Sequence, residues 1–158
     1  MNDQSALLNT FYQAFQARDG ETMATCYHPQ ARFADPVFPD LSASEAGAMW
    51  TMLCKRGKDL RIEYRIQSVN ENTAEVDWQA WYTFSASGRP VHNQIKARFE
   101  FRDGRIYRHH DDFDFPRWAK QALGFKGWLL GGTAFLRGTV QKSAAQSLRD
   151  FTTRSKQP

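Results

Sequence analysis

Cysteine is scarce in this chain: of 158 residues only Cys26 and Cys54 carry a thiol, and no zinc motif surrounds them. That excludes a disulfide-stapled scaffold and a zinc-ribbon or finger fold, so both thiols are expected to be reduced and packed. Long apolar runs are also missing. No segment approaches the roughly 20 apolar residues that a membrane-spanning helix needs. The opening Met1-Asn2-Asp3-Gln4-Ser5 lacks the basic-then-apolar pattern of a secretory leader, and the expected location is cytoplasmic. The sequence pI of about 9.2 suggests nucleic acid, yet no helix-turn-helix, zinc-finger or RNP pattern supports it, so no nucleic-acid partner is expected. No repeat or low-complexity tract is present, and no cofactor or metal is expected.

Aromatic residues, by contrast, are abundant: twelve Phe, five Trp and five Tyr are enough to fill a sizeable core. The net charge of +4 conceals an asymmetry. Residues 1–115 hold 13 Lys/Arg against 16 Asp/Glu, whereas residues 116–158 hold 8 against Asp150 alone. The basic character belongs to the C-terminal part.

Spacing predicts a first helix from Gln4 to Ala17, with Leu7, Leu8, Phe11 and Phe15 on its apolar side, and a short second helix from Glu21 to Tyr27. A brief strand, Arg32 to Asp35, is stopped by Pro36. Ser42 and Glu45 stand at capping-box spacing before a third helix that ends near Arg56-Gly57. The period then changes to two. Arg61 to Val69, Ala74 to Ser85, Pro90 to Arg102 and Arg105 to Phe113 read as an antiparallel meander with turns at 70–72, 87–89 and 103–104. Beyond Pro116, helices are expected over 117–123 and 134–151, joined by the apolar, flexible segment Gly127 to Gly132, with the residues after Thr152 frayed.

The richest chemistry lies in Arg108-His109-His110-Asp111-Asp112-Phe113-Asp114. In a strand alternate side chains share a face, which puts Tyr107, His109, Asp111 and Phe113 on one side and Arg108, His110, Asp112 and Asp114 on the other. The first set mixes a histidine and an acid with aromatic neighbours, a pair suited to moving protons near neutral pH. A structural ion-pair ladder is the competing reading.

Three helices followed by a curved antiparallel sheet, with Phe33-Ala34-Asp35-Pro36-Val37 after the second helix and Gly104-Arg105-Ile106 through Asp111 on the last strand, resemble the nuclear transport factor 2-like superfamily. That superfamily includes ketosteroid isomerases, SnoaL-type polyketide cyclases and limonene epoxide hydrolases. The resemblance implies an α+β fold in which N-terminal helices close a curved, mainly antiparallel sheet into a cone around a pocket. It covers residues 1–115, leaving 116–158 as a C-terminal helical extension packed on the same domain. It places Asp35 where isomerases hold their general base, and Asp111 on the last-strand acid of cyclases and epoxide hydrolases, with His109 beside it. The isomerase oxyanion donors fall at Phe11 and Ala97, neither of which can donate. Losing one such donor costs on the order of 3–4 kcal/mol in the transition state, so steroid isomerisation is not expected. Tyr82, Asn93, Trp50, Trp78, Phe11, Ala97 and Tyr107 complete the expected lining.

The implied function is proton-transfer chemistry of isomerase, cyclase or hydrolase type on a small, mostly apolar molecule. The alternative is a non-catalytic module that binds such a ligand or another protein. Trp81, His92 and Gln94 on the outer sheet face suggest a homodimer. The extension reads first as a lid or dimer arm. A second reading makes 125–151 a peripheral membrane contact, with Trp128, Leu129, Leu130, Phe135 and Leu136 apolar and Lys126, Arg137, Lys142 and Arg149 charged.

Overall fold

Ser42 starts the third helix as its spacing predicts: its Oγ accepts from the Glu45 N–H at 3.2 Å, and the Glu45 carboxylate accepts from the Ser42 N–H at 3.0 Å. In the computed structural model, which describes residues 2–155, this helix is α3 (Ala43–Arg56). It follows α1 (Asp3–Gln16), α2 (Gly20–Thr25), β1 (Tyr27–Ala34) and the two-residue β2 (Leu41–Ser42). The meander is β3 (Arg61–Val69), β4 (Thr73–Phe84), β5 (Arg89–Arg102) and β6 (Arg105–Asp112). Three helices close the described chain: α4 (Phe115–Leu123), α5 (Phe125–Leu130) and α6 (Ala134–Ser155).

The six strands form one sheet in the order β2-β1-β6-β5-β4-β3. β3 to β6 pair antiparallel, and β1 joins β6 in parallel. β5 turns into β6 through Asp103 and Gly104, both at positive φ (54° and 74°), as a two-residue hairpin requires. The inner face carries Ile62, Val76, Trp78, Ala80, Ile95, Ala97, Phe99 and Ile106, all buried. Against it lie Leu8, Phe11, Tyr12 and Phe15 of α1 and Ala46, Met49 and Trp50 of α3. An α+β architecture of helices on a mostly antiparallel sheet is therefore what the molecule adopts.

Three expectations need correction. The chain leaves α2 at Thr25, and Tyr27 already belongs to β1, because parallel pairing with β6 (Tyr27 opposite Ile106) captures the residues before Pro29. The segment around 127 is helical, and α6 continues through Ser155, while residues 156–158 lie outside the described chain. Tyr107 does not share a face with His109. The β5/β6 register shifts between Glu100 and Phe101, so that Ile106 opposes Phe101 and Arg108 opposes Glu100. This bulge turns Ile106 into the core and puts Tyr107 outside, beneath the guanidinium groups of Arg102 (3.8 Å) and Arg108 (4.0 Å).

The extension packs onto this body at two places. Phe115, Trp118, Ala119 and Ala122 of α4 form a second apolar cluster with Val91 of β5 and Leu136 of α6. Leu148 of α6 is buried in the main core, and Gln141 donates to the Pro36 carbonyl at 3.0 Å. Asp114, exposed just beyond the end of β6, caps α4 by accepting from the Arg117 N–H at 3.1 Å. No described helix is long and apolar enough to cross a membrane. Both cysteines are free and buried, and burial pushes their thiols up to about 11.

Candidate functional site

On the inner face of β6, His109 and Asp111 stand two residues apart with almost no solvent access, the two buried polar side chains among the described residues. Their contact is short: His109 Nε2 lies 2.8 Å from Asp111 Oδ1. On the other side of the ring, His109 Nδ1 lies 2.8 Å from the Tyr27 hydroxyl, which also accepts from Trp50 Nε1 at 2.8 Å. Counting donors assigns the tautomer. The Asp111 carboxylate can only accept, which places a proton on His109 Nε2; in the neutral ring Nδ1 is then the acceptor and takes the single proton of Tyr27, whose oxygen accepts from Trp50. The Tyr27 phenol keeps its proton, since burial pushes its pKa well above the ordinary value, against a lowering by the Trp50 N–H, and the Asp111 charge adds to the rise. The imidazole is held in place by rings: Phe99 stacks on it with centroids 4.2 Å apart, Phe33 meets it edge-on at 4.9 Å, and Trp50 lies parallel at 6.1 Å.

Asp111 Oδ1 also accepts from Trp78 Nε1, at 3.3 Å. Asp111 Oδ2 has no hydrogen-bond partner, although it is buried. The hydroxyl of Tyr12 is the other buried side-chain polar atom in that condition among the described residues. Burial raises the Tyr12 pKa well above its ordinary value, and the charge of Asp111 raises it further, so the phenol stays neutral and able to donate. Its ring stacks on Tyr64 at 4.7 Å and lies 6.3 Å from Trp78. An unsatisfied buried polar group costs about 1–3 kcal/mol, and this structure carries two within one electrostatic neighbourhood.

The remaining expected residues divide. Phe11 and Ala97 are buried beside the pair, Phe11 with its ring 5.7 Å from His109 and Ala97 directly across the ladder from Asp111. Trp50 and Trp78, expected as lining, also supply hydrogen bonds. Tyr82 packs against both apolar clusters and its hydroxyl accepts from Trp118 Nε1 at 2.8 Å, and Asn93 is half-buried on β5 opposite Ala80. His110 and Asp112 are exposed on the other face.

Asp35 is hydrogen-bonded to neither His109 nor Asp111. One of its oxygens accepts from the N–H groups of Val37 (2.7 Å) and Phe38 (2.6 Å), an Asx-turn that shapes the Pro36 corner. Burial pushes its pKa up to about 7, opposed by the Phe38 N–H, reinforced by the Asp111 charge and opposed again by Val37 and Arg137. The folded chain thus holds a proton there up to about pH 7 that the unfolded chain releases near pH 4. Across that window the folded form binds more protons, so stability falls as pH rises, by at most about 1.4 kcal/mol per pH unit from this group. Asp35→Asn retains the turn acceptor and is expected to flatten that slope; urea titrations at pH 4.5, 5.5 and 6.5 measure it, and an unchanged slope would remove Asp35 as its source.

Tyr12 and Tyr27 are the residues that sequence reasoning missed. Tyr12 lies four residues after Leu8 and three before Phe15, a spacing that puts it on the buried side of α1. Tyr27 was hidden by extending the second helix to include it. Two hollows, of about 420 and about 560 Å³, open along the other sheet face, lined by Arg61, Trp81 and His92 and by Asp77, Gln94 and Lys96 respectively; neither is lined by His109 or Asp111.

Comparison with known proteins agrees with this architecture. Among solved structures, an epoxide hydrolase of the limonene epoxide hydrolase-like type from M. tuberculosis superposes with a TM-score of 0.60 at 16% identity, over 81% of this chain and 93% of that one. A putative polyketide cyclase from Xanthomonas campestris pv. campestris gives 0.64 at 17% identity, over 76% and 96%. A putative isomerase from Bacillus subtilis gives 0.60 at 20% identity, over 78% and 96%. These likenesses are of fold. No curated protein matches significantly. The sequence model of the SnoaL-like domain matches residues 8–109, from the first buried leucine of α1 to the histidine of the buried pair, and the chain belongs to that family.

Proposed function

We propose that this protein is an enzyme that moves a proton on a small, mostly apolar molecule, with Asp111 taking or giving the proton through Oδ2. The observation that carries the reading is the asymmetry of that carboxyl group: Oδ1 is bound by His109 and Trp78, while Oδ2 is buried with no partner. His109 positions the group, held in one tautomer by Tyr27 and Trp50, and the mostly aromatic surroundings favour an apolar molecule. The Tyr12 hydroxyl serves as hydrogen-bond donor to oxygen where negative charge develops, the role for which Phe11 and Ala97 are unsuited. Abstraction next to a carbonyl and protonation of an epoxide oxygen both begin with such a transfer, and the fold relatives carry the names putative polyketide cyclase, putative isomerase and epoxide hydrolase.

A panel of apolar ketones and epoxides incubated in D₂O, read by mass spectrometry for deuterium uptake or ring opening, tests the reading. Tyr12→Phe is expected to lower turnover on the order of 10²–10³-fold. Its stability is expected to hold or rise by about 1 kcal/mol, because an unsatisfied buried hydroxyl is removed. Unaltered turnover would end the role given to Tyr12. A second reading, a non-catalytic binding module, draws on the crowding of Phe11, Phe33, Phe99 and Trp50 around His109. Binding of panel compounds without any conversion would favour it. In either reading we propose homodimerisation through the outer sheet face, where Arg61 lies over Trp81 and Trp81 stacks on His92 at 4.6 Å.

A further inference from the structure

The large apolar side chains left exposed are not scattered. Of the six among the described residues, five lie between 125 and 135: Phe125 (72% exposed), Trp128 (62%), Leu129 (59%), Leu130 and Phe135 (77%). The backbone is built to present them. Gly127 is buried against α4 so closely that a Cβ there would meet the Ala119 carbonyl oxygen and carbon, which fixes this side of α5 to α4. Phe125, Trp128 and Leu129, at helical positions i, i+3 and i+4, share a face, and the first two rings stack at 6.0 Å. The chain around them carries one sign of charge. From Phe115 to Arg149 there is no acidic residue, whereas Arg117, Lys120, Lys126, Arg137, Lys142 and Arg149 are basic. None of these six is in an ion pair among the described residues. Leu136 and Arg137 do not belong to the exposed set, since Leu136 is buried in the second cluster and Arg137 lies over the Phe115 ring.

We propose that the α5 segment, Phe125 to Phe135, docks on an anionic phospholipid surface, with Trp128, Phe125 and Leu129 entering the headgroup boundary and Lys126 and its basic neighbours meeting lipid phosphate. Tryptophan and leucine on one short face with lysine beside them suit the interfacial zone of a bilayer. A second copy of this chain fits less well, because a two-fold contact through this face would set like charge against like charge.

The full chain is sedimented with vesicles of phosphatidylcholine alone and of equimolar phosphatidylcholine and phosphatidylglycerol. Co-sedimentation with the anionic vesicles is expected, weakened by high salt, and Lys126→Gln is expected to reduce partitioning about fivefold. Trp128→Ser with Leu129→Ser is expected to abolish it while the thermal melt, read by circular dichroism, stays where it was, as both side chains are exposed. Brominated lipid should quench the wild-type tryptophan fluorescence, a readout independent of any variant. Equal recovery in the supernatant with and without anionic vesicles overturns the proposal. So does a dimer that Trp128→Ser disperses, which would assign the face to a second copy. Binding to an acidic polypeptide at the same strength as to vesicles and indifferent to Trp128→Ser would also overturn it.

Discussion

Asp111→Asn is expected to lower turnover by about 10²–10⁴-fold, the range a positioned general acid or base supplies, while leaving the fold intact. The asparagine oxygen can still accept from His109 Nε2 and Trp78 Nε1, the two donors that reach Asp111 Oδ1. Its amide nitrogen then occupies the position of Oδ2, the atom with no partner, and cannot accept a proton. The change therefore separates chemistry from architecture. Steady-state turnover on whichever compound the D₂O panel identifies, read beside the thermal melt, checks it. Full turnover in a folded variant would take Asp111 out of the reaction.

Tyr27→Phe has the largest expected effect on stability. The hydroxyl it removes is shared by two buried groups, accepting from Trp50 Nε1 and contacting His109 Nδ1, each at 2.8 Å. Both lose that partner inside an aromatic shell. At about 1–3 kcal/mol for each of the two unsatisfied groups, the loss is about 2–6 kcal/mol, measurable as a shift of the urea midpoint. The same substitution frees Nδ1, so the proton on the imidazole is no longer confined to Nε2. A midpoint within experimental error of the wild type would mean that the hydroxyl carries no structural role.

Much of this arrangement was legible in the residues. Alternation along β4 and β5 identifies Val76, Trp78, Ile95, Ala97 and Phe99 as inward, and all five are buried. The same rule applied to β6 gives the correct side for His109 and Asp111 but the wrong one for Tyr107. A bulge adds one residue to one strand, which reverses the parity on one side of it, and nothing in the local composition of Arg105 to Arg108 marks where it falls. Tyr12 could have been found from its spacing to Leu8 and Phe15. Tyr27 could not, because its place depends on the parallel pairing of β1 with β6, where it stands opposite Ile106 far along the chain, a contact that no short-range pattern encodes. Asp35 was legible only as the acid before Pro36; the structure gives one of its oxygens to a turn and pushes the carboxyl group up to about 7.

The role of Asp111 depends on the protonation pattern of one imidazole: with the Trp50–Tyr27–His109 chain running as assigned, His109 engages Oδ1 and leaves Oδ2 as the single unengaged oxygen. Long-range ¹H–¹⁵N correlation NMR of the histidine side chains reads this directly and needs no substrate. The prediction is one neutral tautomer for His109, protonated at Nε2 with Nδ1 accepting, and loss of that exclusive tautomer in Tyr27→Phe. A His109 protonated at Nδ1 in the wild-type protein, or a ring whose signals do not respond to Tyr27→Phe, would contradict this arrangement.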